Sequence, residues 1–126
     1  MADSTFAQFD GNYISLETFK KSGEGVKTPV WFVLHDGVLY VYTEADSWKV
    51  KRIRNNARVR VARCTIRGRV TGPWVDGSAA IIEGEERQVA DRLLDRKYVM
   101  KRLANWFRKV SPRARAMIRI RPTSFE

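Results

Sequence analysis

Cysteine and histidine are almost missing from this chain. Among 126 residues there is one cysteine, Cys64, and one histidine, His35. A lone cysteine excludes an internal disulfide and fits a reducing compartment. One Cys with one His cannot build the usual four-ligand zinc site, so no metal centre is expected. A nucleophilic thiol needs a base, yet His35 directly precedes the turn dipeptide Asp36-Gly37, and Cys64 lies in the alternating run Val59 to Thr65. His35 therefore reads as a turn residue and Cys64 as a half-buried strand residue. Acidic residues are also scarce. There are 14 Asp and Glu against 24 Lys and Arg, a formal charge of +10, which points to polyanions or phosphorylated small molecules as partners. No apolar stretch approaches the length that spans a bilayer, and the first residues lack the apolar core of a signal peptide. The expectation is a cytoplasmic protein without a membrane partner. Neither an internal repeat nor a low-complexity segment is evident, and the length suits one domain over 1–126 with a genuine core.

What is abundant is strand-forming sequence separated by tight turns. Gly11 to Phe19, Val26 to Leu34 and Val38 to Thr43 are rich in Val, Ile, Phe, Tyr, Trp and Thr. Lys20 to Gly25 and His35-Asp36-Gly37 separate them, and Asp-Gly between two such runs is a strong hairpin signal. Further strands are expected over Val59 to Thr65, Trp74 to Glu83 and Met117 to Ile120, with a turn at Arg67-Gly68-Arg69. Gly77, Ser78 and Ala79 permit bending in the second of these. Helical spacing of Val89, Ala90, Leu93, Leu94 and Lys97 marks a helix over Glu86 to Tyr98, continued by Leu103, Trp106 and Phe107 in Val99 to Val110 and stopped at Ser111-Pro112. Short strands, tight turns and two helical insertions argue for a mainly β fold, a small antiparallel barrel rather than a parallel sheet.

The run Thr43 to Asn56, T-E-A-D-S-W-K-V-K-R-I-R-N-N, reads as a short helix with Asp46 or Ser47 as N-cap. Val50, Ile53 and Ala57 then line one apolar face. Lys49, Lys51 and Arg52 fall near the helix start, where partial positive charge and unpaired N–H groups disfavour cations unless an anion sits among them. The segment thus reads either as a phosphate site or as a solvated basic face.

Taken together, Tyr13 to Phe19 (Y-I-S-L-E-T-F), Thr28 to Phe32 (T-P-V-W-F), Val41 to Asn56, Arg58 to Arg69 (R-V-R-V-A-R-C-T-I-R-G-R) and Arg96 to Tyr98 (R-K-Y) resemble the pyridoxamine 5'-phosphate oxidase-like split-barrel family, and within it the coenzyme F420-dependent subgroup. The resemblance covers most of the chain and lies in the order and spacing of these segments. It implies an antiparallel split β-barrel of Greek-key type, the FMN-binding split barrel, acting as a homodimer with cofactor sites at the subunit interface. It also implies coenzyme F420, a deazaflavin, as cofactor, with FMN as the alternative. Ser47 and Lys49 match the phosphate-binding segment; Lys51 and Arg52 match basic positions that reach phosphate or a cofactor tail. Thr43 matches the strand end beside the ring, and Thr28, Pro29, Val30 and Trp31 the strand along it. Trp48 and Val50 complete the cofactor-binding segment, Trp48 either stacking on a ring or covering the helix. Pyridoxamine phosphate oxidases themselves carry basic residues where this chain has Thr28, Val33 and Trp48, which argues against that activity. The subgroup commonly has glycine where Trp48 stands and proline where Ala57 and Arg63 stand, so the resemblance does not carry over the shape of this loop.

The resemblance implies an oxidoreductase that moves a hydride between the deazaflavin and a small organic substrate, with Tyr13, Tyr42 or Tyr98 as candidate proton donors. This division of labour fits the lack of an acid-base dyad, a triad or a metal cluster. A barrel that holds FMN, haem or a polyanion without turnover is the competing class. Nucleic-acid binding through Arg52, Arg54, Arg58, Arg60, Arg67 and Arg69 is the third, and the absence of a helix-turn-helix, zinc-finger or ribonucleoprotein motif argues against it.

Overall fold

The computed structural model describes Phe6, Phe9 and residues 11–98 and 115–123. Six strands, β1 (Tyr13–Phe19), β2 (Gly25–His35), β3 (Val38–Glu44), β4 (Arg58–Arg63), β5 (Val75–Ile82) and β6 (Arg115–Pro122), form a closed antiparallel barrel in the order β1-β2-β3-β6-β5-β4. Two helices interrupt them: α1 (Trp48–Asn55) between β3 and β4, and α2 (Gly84–Lys97) between β5 and β6. The expected continuation over 99–110, with Trp106 and Phe107, lies outside the described residues.

The β2–β3 hairpin forms where Asp-Gly predicts it. Asp36 and Gly37 have φ of 52° and 75°, the pair of positive angles that a two-residue turn requires for strands of right-handed twist. Alternation then sorts the side chains. Val30 and Phe32, Leu39 and Val41, and Ile118 and Ile120 point into the barrel, where they meet Ile14, Leu16, Val59 and Val61. Their neighbours Val33, Tyr40, Tyr42 and Met117 face outward and are covered by Ala90 and Leu94 of α2 and by Tyr98. Gly77 sits in β5 opposite both Val59 and Pro122, and a Cβ there would lie 2.9 Å from Ile120 Cγ2, so the close approach of three strands dictates glycine.

The helices differ at their N-termini. Glu85 and Glu86 occupy the first turn of α2, and Arg96 and Lys97 its last, the arrangement the helix dipole favours. Glu86 also anchors the helix, accepting from Tyr40 Oη at 2.9 Å and from Arg119 Nη1 at 2.7 Å. No acidic residue lies in the first turn of α1. Ser47 is its N-cap, settling the choice between Asp46 and Ser47, and Val50 and Ile53 are its buried residues. Ala57 does not extend that face. The helix ends at Asn55, Asn56 is extended, and Ala57 is exposed, with its carbonyl accepting from Ala79 N–H at 2.8 Å.

Candidate functional site

The β2–β3 ladder stops at Phe32↔Val41, although β3 continues to pair with β6 as far as Glu44↔Arg115. Beyond Phe32, then, Pro29, Val30 and Trp31 part from Tyr42, Thr43 and Glu44. A pocket of about 510 Å³ fills the gap, bounded also by Tyr13, Ser47, Lys49 and Ile66. That volume falls within the range of small-molecule sites. Proline at position 29 suits this edge, since a strand residue without an N–H is tolerated only where the ladder does not need it.

One end of the pocket is aromatic. The Trp31 ring lies 6.2 Å from that of Tyr13 and 5.9 Å from that of Tyr98. Beneath it, the Tyr98 hydroxyl takes over where β1 ends: the β1–β2 ladder reaches Tyr13↔Trp31, and the next residue of β2, Phe32, donates its N–H to Tyr98 Oη at 3.1 Å. The hydroxyl lies within donating distance of Phe32 O (2.7 Å) and Asn12 O (2.9 Å), and Lys97 Nζ donates to Phe32 O at 2.8 Å. Burial pushes the Tyr98 phenol well above its ordinary pKa, although the backbone bond to Phe32 acts in the opposite direction. Tyr98 is thus a neutral brace for β2 and does not line the pocket, whereas Tyr13 and Tyr42 do. Lys97 and Tyr98 of the R-K-Y segment thus hold the wall of the site.

The other end is polar. Ser47 Oγ accepts from Val50 N–H at 3.4 Å and stands 3.3 Å from Thr43 Oγ1. Lys49 is half-buried. Desolvation, then the charge of Arg52, lower its pKa below that of a free lysine, while Glu44 raises it. A cation held in partial burial beside another cation is the setting that a bound anion would relieve.

Six of the sequence-predicted residues therefore meet here: Pro29, Val30, Trp31, Thr43, Ser47 and Lys49. Five do not. Thr28 lies on β2 outside the pocket, its hydroxyl buried without a hydrogen-bond partner. Val50 has 0% exposure and packs inward, bringing only its N–H to Ser47. Trp48, Lys51 and Arg52 line a separate cavity of about 480 Å³ with Lys20, Lys21 and Asn55. Trp48 is 69% exposed, with Lys51 Nζ, one turn further along α1, 4.4 Å from its ring centroid. Glu44 and Ile66 of the first pocket, and Lys20 and Lys21 of the second, were not singled out by the sequence.

Cys64 and His35 sit apart from this chemistry. Burial raises the Cys64 pKa, which disfavours the thiolate. His35 lies at the hairpin turn, 3.5 Å from Asp36 and away from both cavities. Among the described residues no group of three or more His, Cys, Asp or Glu is placed to hold a metal, and no helix is long and apolar enough to cross a membrane.

Solved structures share this fold. A conserved hypothetical protein from Mycobacterium tuberculosis is 20% identical, with a TM-score of 0.72 over 98% of this chain and 82% of its own. The heme storage protein HutZ from Vibrio cholerae is 11% identical, with a TM-score of 0.70 over 90% of this chain and 83% of its own. General Stress Protein 26 from Bacillus anthracis str. Sterne is 26% identical, with a TM-score of 0.66 over 90% of this chain and 81% of its own. No curated protein matches the sequence significantly. Residues 6–126 match the family model for Pyridoxamine 5'-phosphate oxidase, and the split ladder, the braced β2 strand and the serine-capped basic helix are thus those of a chain that belongs to this family.

Proposed function

We propose that the protein is an oxidoreductase using coenzyme F420, with FMN as the alternative, and acting on a small organic substrate. The observation that carries the reading is the pocket in the split between β2 and β3, aromatic at one end and bounded by Ser47 and Lys49 at the other. A planar ring with a phosphate tail fits that polarity. Pro29, Val30 and Trp31 form the wall along which a ring lies, where β2 backbone groups facing β3 lie beyond the end of the ladder. Ser47, Thr43 and the ammonium of Lys49 form the phosphate end. When bound, such a cofactor supplies hydride transfer. The chain's own residues orient it, exclude water on the Tyr13, Trp31 and Ile66 side, and neutralise its charge.

In this reading the assembly is a homodimer, with the second subunit closing the open side of the pocket over the exposed Ile66. A histidine-ligated haem finds less support, because the sole histidine, His35, does not line the pocket.

The test is a titration with coenzyme F420 and separately with FMN, followed by tryptophan fluorescence. A charge-assisted phosphate contact is worth roughly 1.5–3 kcal/mol, so Lys49→Ala should weaken binding about tenfold or more without unfolding the chain. Unchanged affinity in a folded Lys49→Ala protein, or failure of both cofactors to bind, would sink the assignment. Oxidation of the bound, reduced cofactor should accelerate when an acceptor is added; a carrier would show no such acceleration.

A further inference from the structure

Helix α1 presents three faces. Val50 and Ile53 enter the core, Lys49 enters the split-ladder pocket, and Trp48, Lys51, Arg52 and Asn55, at i, i+3, i+4 and i+7, form a stripe facing the β1–β2 turn. The turn is fixed by Lys20 N–H to Glu24 O (2.9 Å) and Gly23 N–H to Lys20 O (2.8 Å), and it brings Lys20 and Lys21 against the stripe. Arg52 Nε donates to Thr18 Oγ1 at 2.7 Å, which holds its guanidinium at the cavity wall. The result is a concavity of about 480 Å³ with Lys20, Lys21, Lys51 and Arg52 around it and a largely exposed indole at its rim. The carboxylate beside it, Glu24, is bonded to Lys20 at 3.1 Å.

We propose that this cavity is a second ligand site, for a nucleoside polyphosphate whose base stacks on Trp48 and whose phosphates lie among Lys20, Lys21, Lys51 and Arg52. Four cations in one concavity, offset only by Glu24 on Lys20, call for a multiply charged anion. An exposed indole among them adds a flat apolar surface that a purely inorganic anion would leave unused, whereas a base stacks on it. The volume is that of a small-molecule site. A nucleic-acid strand is disfavoured because the basic surface does not run on along β4. Arg60 is bonded to Glu17 at 3.2 Å and stacked on Trp74, and Arg58 lies 3.6 Å from Asp76 and over Phe19. Those two arginines are matched within the fold.

The experiment is calorimetric titration of the full chain with adenosine triphosphate, inorganic tripolyphosphate and adenosine at one fixed salt concentration. Adenosine triphosphate should bind more tightly than either fragment. Lys21→Gln combined with Lys51→Gln should weaken it about tenfold or more. Trp48→Ala, at an exposed position the fold does not need, should weaken the nucleotide and leave tripolyphosphate unchanged. Equal binding of nucleotide and tripolyphosphate, or indifference to Trp48→Ala, would overturn the proposal in favour of a generic anion patch. Tight binding of a single-stranded oligonucleotide with none of the mononucleotide would overturn it too. Lys49→Ala separates the sites: it should leave nucleotide binding intact, so failure of the flavin or deazaflavin reading leaves this one standing, and the reverse.

Discussion

Replacing Tyr98 by phenylalanine removes one oxygen and nothing else, at a place where the barrel relies on that oxygen. The ring stays packed between Trp31 and α2, so no cavity of consequence opens. What is lost is the acceptor for Phe32 N–H (3.1 Å) and a donor shared between Phe32 O (2.7 Å) and Asn12 O (2.9 Å). Phe32 O keeps Lys97 Nζ at 2.8 Å, so the carbonyl remains satisfied. The N–H does not, because β1 has already ended and Phe32 is 1% exposed. Losing one net hydrogen bond costs about 1 kcal/mol and stranding a buried donor about 1–3 kcal/mol, giving about 2–4 kcal/mol in all. For a chain of this length that corresponds to a fall in Tm of roughly 6–15 °C. Urea unfolding followed by circular dichroism checks it: the midpoint should fall while the slope m stays constant, since the unfolded surface is unchanged. A loss below about 0.5 kcal/mol would refute the reasoning, because the hydroxyl would then not be what satisfies β2 past the end of β1.

Two further outcomes can be measured, the second of them resting on the proposed function. Tyr40 has its pKa raised to about 12 from 10.0, chiefly by burial and then by its bond to Glu86; its stabilising contribution is complete below pH 10 and is lost as pH rises to about 12, so alkaline unfolding monitored across that window should flatten in Tyr40→Phe, and an unchanged profile would count against it. Sedimentation equilibrium of the full chain should give a dimer, and a monomer at micromolar concentration would undercut a site closed by a second subunit.

The parts of the fold that depend on neighbours in sequence could be read without coordinates. Asp36-Gly37 specifies its hairpin through backbone angles that few other pairs adopt, and the β-branched and aromatic runs on either side of it form β2 and β3. Ala57 was misassigned because apolar spacing continues past Asn55, whereas the chain turns extended at Asn56 and spends the Ala57 carbonyl on β5. Ile66, Lys20 and Lys21 carry no local signal at all, since each reaches its cavity through segments tens of residues apart; Glu44 enters with Thr43, its neighbour at the end of β3. The basic run was a different kind of failure. Residue types marked Lys49, Lys51 and Arg52 as one anion site, yet the helical repeat already separates position 49 from 48 and 51, since residues one or two apart do not share a face, and only Arg52, three residues on, stays within its reach. Once Val50 and Ile53 fix which side of α1 is buried, Lys49 can only turn toward β3 while Lys51 and Arg52 turn toward the β1–β2 hairpin. A cluster of cations in sequence thus becomes two cavities in space, with Lys49 in one and Lys51 and Arg52 in the other, and the lowered pKa of Lys49 comes first from burial in its own pocket and second from Arg52 at the edge of the other.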